Sequence, residues 1–220
     1  MITTGEDLVN GLINWGELKN PLLVKALRRI DRKFFVPVKL QDEAYGNYPL
    51  PIGKGQTISQ PSTVVFMIEQ LKVKPGQSIL EVGSGGGWVS ALLAQMVGDQ
   101  GHVTGMDIIP ELVELARENI RRVIASPSKG ESEAISFKNL QFIVGDGSLG
   151  YKKNSSYDRI IVSAGARKIP QALLKQLKDG GRMVIPVGEG TQDMVVIEKV
   201  GTKIKQTKYS GFVFVPLISK

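Results

Sequence analysis

From Gln77 onward the chain alternates short apolar runs with helical stretches, and no other feature restricts its fold so tightly. The runs are SILEV, HVTGMD, LQFIV, DRIIVSA and RMVIPV; between them stand WVSALLAQMV, PELVELARENIRRVI and PQALLKQLK. Short apolar runs suit strands buried on both faces, and helical segments between them are what crossovers between parallel strands require. The pattern predicts an α/β fold, a doubly wound and mostly parallel sheet of about seven strands with helices on both faces. In the tail, DMVVIEKV and YSGFVFVPLI around GTKIKQT read as a closing antiparallel pair. Ahead of the alternation, GEDLVNGLINWG, NPLLVKALRRIDRKFF and PSTVVFMIEQLK read as a helical extension, with apolar residues three and four apart and Pro61 suited to a first helical turn. SPSKGESEAISFKN reads as a polar loop. The expectation is one domain over residues 1–220, a helical cap over 1–73 joined to an α/β core over 74–220.

Composition removes several chemistries. The 220 residues include no cysteine and a single histidine, His102, which reads as a surface residue. Disulfides, thiolate nucleophiles and cysteine-ligated zinc are thereby excluded, as is most histidine-based metal or triad chemistry, so no metal is expected. The net charge is +7, but the 28 basic residues are interleaved with 21 acids and read as a solvated surface rather than a nucleic-acid footprint. Lys199 to Lys220, with five lysines and no acid, is a basic strip or the guard of an edge hairpin. MITTGEDLVN lacks a basic-then-apolar leader, and no apolar run approaches the roughly 18 residues of a membrane span. A soluble, cytoplasmic monomer with neither membrane nor nucleic-acid partner is expected.

In an open α/β sheet, ligands sit beyond the carboxyl ends of the strands. SILEV runs into Gly83, Gly85, Gly86 and Gly87, where missing side chains let a ligand approach the backbone. Such a bend can hold a dinucleotide pyrophosphate, a nucleoside triphosphate, or a ligand with no phosphate. Counted from Gly83, the last position of a G-x-G-x-x-G fingerprint is Trp88, too large for close helix packing, while a frame from Gly85 ends on Ser90. No G-K-[ST] follows, so a P-loop is unsupported. Asp107 can accept both hydroxyls of a ribose. Asp146 can take the exocyclic amine of an adenine while Gly147 leaves room for the ring. Glu81 adds negative charge that repels a pyrophosphate and welcomes a cation. A nucleoside carrying a sulfonium and an ammonium meets all three demands, which points to S-adenosyl-L-methionine, with S-adenosyl-L-homocysteine as product. The competing reading is a tight strand-to-helix turn with no ligand; acids at three strand ends weigh against it. Trp88 stacks on a ligand or packs the first core helix, and packing is the simpler reading.

E-V-G-S-G-G-G-W, G-M-D and G-D-G resemble the glycine and acid motifs of class I methyltransferases. FFVP (34–37), AYGNYPLPIGKGQTISQP (44–61), VGDGSLGY (144–151), LLKQLKDGGRMVIPVG (173–188) and FVPL (214–217) resemble the protein-L-isoaspartate O-methyltransferase family, from about residue 30 to the C-terminus. GQTISQP is the most discriminating piece. The resemblance implies a Rossmann-like methyltransferase fold, with a substrate loop in the cap and a cofactor-binding core. It implies a repair enzyme that methylates the free α-carboxylate of L-isoaspartyl residues in damaged proteins and peptides. It implies that Ser59 is catalytic, a hydroxyl donor to the attacking carboxylate, and that Ile58, Ser59, Glu81, Gly83, Gly85, Gly87, Asp107, Ile108, Asp146 and Gly147 bind the cofactor. Gln60, Pro61, Ser62, Ser163, Ala164 and Val215 are implied to bind substrate. Read from the residues alone, Ser59 suits a helix N-cap or a turn before Pro61 equally well.

Two departures from the family pattern bear on the substrate. Ser62 stands where many members carry an aromatic or histidine, and VSAGA (162–166) replaces a more alanine-rich segment, so Ser163 and Gly165 line the peptide site differently. Tyr45 and Tyr48 contact peptide or seal the cap. A carboxylate with a pKa near 4 is ionised at neutral pH and attacks without a general base, which suits a chain so poor in Cys and His. The alternative function is methylation of RNA or a small molecule; IIVSAGA lacks the Asn/Asp-Pro-Pro-aromatic segment of nitrogen methyltransferases. A third is a binding module that has lost activity.

Overall fold

The structure, a computed structural model, describes residues 2–126 and 135–219. Residues 127–134, most of the polar loop read from the sequence, lie outside the described residues. Six helices are described, α1 (Gly5–Asn14), α2 (Pro21–Arg29), α3 (Pro61–Leu71), α4 (Trp88–Val97), α5 (Pro110–Ala125) and α6 (Gln171–Gln176). A small hairpin, β1 (Leu50–Gly53) and β2 (Gln56–Ile58), precedes α3. The main sheet holds β3 (Ser78–Val82), β4 (His102–Asp107), β5 (Leu140–Val144), β6 (Tyr157–Val162), β7 (Leu177–Val187), β8 (Gln192–Val200) and β9 (Lys203–Phe212), in the order β5-β4-β3-β6-β7-β8-β9. The first five of these run parallel, and β8 and β9 close the sheet antiparallel. The chain travels outward from β3 through β4 to β5, then returns to the other side of β3 as β6. That reversal opens a crevice at the carboxyl ends of β3, β4 and β6.

Alternate strand residues feed two cores. Ile79, Val103, Ile161, Val184 and Val196 join residues from α1 to α5. Leu80, Met106, Ile160, Met183, Ile185 and Val195 face the opposite side, with Leu173 of α6. Both faces are covered, as expected, but unevenly: five helices share one core and α6 serves the other.

The cap forms for local reasons. Thr4 and Asp7 make a reciprocal capping box on α1, and Asn20 caps α2 ahead of Pro21. Asp31 accepts from Lys33 N and starts a 3-10 turn at Arg32–Phe35, so NPLLVKALRRIDRKFF is a helix and a turn rather than one helix. The hairpin β1–β2 was read only as loop; it turns at Lys54 and Gly55, both at positive φ.

The tail differs from expectation. GTKIKQT is not a connection: the chain reverses at Gly201 (φ +58) and β9 begins at Lys203. β9 is an edge strand exposed along nearly its whole length, so it needs no apolar face, and its lysines protect an unpaired backbone from other strands. Beyond Phe212 the YSGFVFVPLI segment leaves the sheet and returns to the crevice, with Gly165 N donating to Val215 O and Leu217 N donating to Gly165 O, both at 2.8 Å. β7 also starts earlier than read, at Leu177, which shortens α6 to six residues.

Two arginines from the sheet hold the end of α3. Arg182 Nε donates to Gln70 O at 2.9 Å while its Nη1 bonds Glu198 at 2.6 Å, and Arg159 donates twice to Lys72 O at 3.3 and 3.2 Å. These carbonyls have no intrahelical partner, so the arginines complete the helix end. Arg182→Met should therefore lower unfolding free energy by about 1.5–3 kcal/mol, the usual worth of hydrogen bonds to a charged group, with a matching drop in urea midpoint.

Candidate active site

The glycine bend closes by backbone bonds to β4. Gly83 N and Ser84 N both donate to Met106 O, at 2.8 and 2.9 Å, and Gly87 N donates to Ser84 O at 2.8 Å. Gly83, Gly85 and Gly87 all have positive φ, at +80, +50 and +89, which explains why glycine recurs at alternate positions. Asp107, at the end of β4, clamps this bend: Oδ2 accepts from Gly85 N at 2.9 Å and Oδ1 accepts from Ile109 N at 3.0 Å. Each carboxylate oxygen retains a lone pair for a further donor.

Three adjoining cavities surround the bend. The first is lined by Gly83, Gly85, Met106, Asp107, Ile108, Gly147, Ser163, Ala164 and Val215, among others. The second is lined by Ile58, Ser59, Glu81, Gly83, Ser84, Gly85, Trp88 and Ser163. The third is a groove of about 580 Å³ bounded by Pro49, Ser59, Gln60, Thr63, Ser163 and the 211–215 segment. Thr57 and Ser163 border all three. Thr57 was not singled out from the sequence, and the three residues of β2 are too few for an alternation to mark it; in the fold it is exposed beside the buried Ile58.

Most residues proposed from the sequence therefore meet here, and four do not line these cavities. Gly87 is the N-cap of α4, where a Cβ would press on Ala116 and Phe142 at 3.0 Å. Asp146 caps the 3-10 turn Gly147–Leu149 through Ser148 N at 2.9 Å, beside Gly147, where a Cβ would collide with Val82. Pro61 is buried at the start of α3, and Ser62 borders a neighbouring hollow with Phe66 and Glu69, its N–H donating to Asn47 Oδ1 at 3.0 Å. Tyr45 seals the cap by donating to Asp31 at 3.0 Å, and Tyr48 donates to Glu43 at 3.0 Å. His102 is partly buried beside Asn154 Nδ2 at 3.2 Å, so it is less exposed than its sequence context suggests.

Ser59 follows β2 and precedes the helix, but the N-cap of α3 is Gln60, with no side-chain capping bond. The capping role is thus not the one Ser59 plays, and the residue borders both the second and the third cavity.

Glu81 is fully buried. Ser90 Oγ donates to its Oε2 in a short bond and Ser163 Oγ donates to Oε1 at 3.3 Å. Burial pushes its pKa up to about 7, against the pull of the two hydroxyls and with a further push from Asp107. The sequence reading took Glu81 as a standing negative charge; in the fold its charge depends on what occupies the cavity. A cation there draws the carboxyl back towards its ionised form.

Ser84 Oγ and Trp88 Nε1 are buried polar atoms without hydrogen-bond partners, and both residues line the second cavity. Such orphans call for a polar ligand. Together with the glycine cradle and Asp107 they fit a molecule with a ribosyl purine at one end and a charged amino-acid group at the other. Among the described residues no cluster of three or more His, Asp or Glu could hold a metal ion, and no helix is long and apolar enough to cross a membrane.

The model of the family described as protein-L-isoaspartate(D-aspartate) O-methyltransferase (PCMT) matches residues 3–220. The chain belongs to that family. It is 43% identical over 215 residues to a protein-L-isoaspartate O-methyltransferase of Methanothrix thermoacetophila, covering 98% of this chain and 95% of the relative. A second, from Ignicoccus hospitalis, is 42% identical over 97% of both chains. Among solved structures, a Plasmodium falciparum chain assigned to the same family, in complex with S-adenosyl-L-homocysteine, superposes with a TM-score of 0.83 at 24% identity over 98% of both chains. It shares the seven-stranded methyltransferase fold.

A raised pKa means that the folded state holds the Glu81 proton more tightly than the unfolded one. The associated stability is complete below about pH 4.5 and lost as pH rises through about 7, a difference on the order of 3 kcal/mol. Ligand-free Glu81→Gln should escape this loss. Thermal melts from pH 5 to pH 8 should show the variant gaining on the wild type as pH rises, and parallel curves would remove Glu81 as the titrating group.

Proposed function

We propose that the chain is a repair methyltransferase that transfers the methyl group of S-adenosyl-L-methionine to the free α-carboxylate of L-isoaspartyl residues in damaged proteins and peptides. The observation that carries the reading is the meeting of the two recesses at the glycine bend with the open groove at Thr57 and Ser163, Ser59 bordering the groove and the recess that holds Glu81. Asp107 would take the ribose hydroxyls, Gly147 would leave room for the base, and Ser84, Trp88 and Glu81 would receive the amino-acid end. When bound, the cofactor supplies an electrophilic methyl group on a sulfonium.

The groove explains how this chain handles the acceptor. Its lining of Pro, Thr, Ser, Gln, Gly, Phe and Val contains no titratable side chain. An isoaspartyl carboxylate arrives already ionised and needs no base, so hydroxyl and amide donors suffice to orient it. Ser59 would donate one such bond, and its sharing a lining with Ser163 and Gln60 supports that role. Absence of a carboxylate from the groove also avoids repelling the substrate. The same lining lacks Lys and Arg, which argues against RNA as the acceptor, because phosphate recognition rests on cations. We take the enzyme to act as a cytoplasmic monomer, with cap and core working as one domain; the apolar core shared by α1 to α5 supports that last point.

Incubation with methyl-labelled cofactor and an isoaspartyl peptide, its aspartyl twin, or RNA tests the function. Label in the isoaspartyl peptide alone, released by mild base as an ester, is expected; base-stable label in RNA would sink the reading. Ser59→Ala should lower turnover with cofactor affinity and melting temperature nearly unchanged, and the residual rate should stay flat from about pH 6 to pH 8. Asp107→Asn should weaken cofactor binding by about 1.5 kcal/mol or more, through loss of charge-assisted bonds, and calorimetry showing unaltered affinity would exclude the ribose role.

A further inference from the structure

We propose that Arg32 is a positioning residue for methyl transfer, acting through Ser59; the inference rests on the role assigned to Ser59 above. Arg32 opens the 3-10 turn after α2 and is 2% exposed. No carboxylate lies within ion-pair distance of it among the described residues. The neighbouring Asp31 is committed elsewhere, to Lys33 N and the Tyr45 hydroxyl. Burial lowers the guanidinium pKa only to about 10, so the group stays charged at neutral pH.

Its partners are backbone carbonyls drawn from one strap of chain. Nη1 donates to Ala44 O at 2.5 Å, and Nη2 donates to Tyr48 O at 3.3 Å and to Ser59 O at 3.1 Å. The guanidinium carbon sits 5.2 Å from the centroid of the Trp88 ring, at the first residue of α4. Nε has no partner. Burying a cation without a counter-ion is costly, and an apolar residue of similar volume usually fills such a space with less penalty. What an apolar residue cannot supply is a rigid, planar fork that grips several carbonyls at once.

The grip has a specific geometry. The strap from Ala44 to Ser59 includes the hairpin β1–β2, whose Ile52 reaches Gly85, where a Cβ would come within 3.3 Å of Ile52 Cδ1. Arg32 holds both ends of that strap and rests on the residue that begins the helix after the glycine bend. Because it takes the Ser59 carbonyl, Arg32 fixes the backbone of the residue that borders both the second and the third cavity, against the Trp88 indole. A lysine keeps the charge but offers its donors from a single nitrogen without the rigid planar fork, so the strap would settle differently. Arg32 lines neither cavity itself; it meets their linings at the Ser59 carbonyl and the Trp88 ring, and of these two residues only Ser59 also borders the acceptor groove, which is why an effect on the acceptor passes through Ser59.

A double-mutant cycle of Arg32→Lys and Ser59→Ala tests this, with kcat and KM for an isoaspartyl peptide, affinity for S-adenosyl-L-homocysteine, and melting temperature measured on each protein. In the Ser59 enzyme, Arg32→Lys should lower kcat about tenfold with product affinity changed less than about twofold; in the Ser59→Ala background the same substitution should cost less than about twofold more. Additive losses in kcat, or a loss confined to melting temperature, would overturn the positioning role while leaving Ser59 intact. An inert Ser59→Ala would overturn both. If Arg32→Lys melts below the assay temperature, the cycle is run with Arg32→Gln, which retains a planar two-donor amide, and the same outcomes decide.

Discussion

Asp107 is the hinge pin of the molecule. Its two oxygens bind Gly85 N and Ile109 N, so one side chain ties the bend after β3 to the start of α5, while the neighbouring Met106 carbonyl takes two more N–H groups of the same bend. Backbone conformations at positive φ are costly for most residues and hold only where the surroundings over-determine them. Here they are met by glycine and by a carboxylate. The path of α4, the depth of the recess below it, and the seat for Ile52 of the cap all follow from that clamp. A group first read as a ligand for ribose is thus also what keeps the recess open.

The three acids noted in the sequence divide into distinct physical states. Asp107 accepts from two backbone N–H groups of the bend and of the start of α5. Glu81 is buried with two serines and titrates near neutrality, so it can match a cation without carrying a full charge when none is present. Asp146 spends an oxygen on the turn that presents Gly147. Arginine does the complementary work: Arg159 and Arg182 hold one end of α3, and Arg32 holds the carbonyl just before the other. The groove between these charged frames is itself neutral.

Much of this was legible in the sequence. The strands SILEV, HVTGMD, LQFIV and DRIIVSA announce themselves because burial on both faces demands unbroken apolar runs, and glycines at alternate positions reveal a bend of unusual φ. What escaped notice was structure whose cause lies elsewhere in the chain. β9 reads as polar linker because an edge strand has no obligation to be apolar, and β1–β2 is too short to show a period. Arg32 looks like one more surface cation in ALRRIDRKFF; its burial depends on carbonyls 12, 16 and 27 residues away. The unpartnered Ser84 and Trp88 could not be foreseen from spacing, since an orphan is defined only by its neighbours.

The two walls of the groove are unequal in stiffness. On one side Ser59 and Gln60 belong to a segment whose backbone is held by the buried Arg32 guanidinium. On the other, the 213–217 segment stands outside the sheet, tethered through Gly165 and a bond from Phe214 N to Gln192 at 2.8 Å, with Val213 79% exposed. A spontaneous lesion arises in whatever sequence happens to surround it, so a catalyst for it must be strict about one carboxylate and indifferent to its neighbours. A rigid jaw opposed by a compliant one grips a common bolt in housings of many shapes.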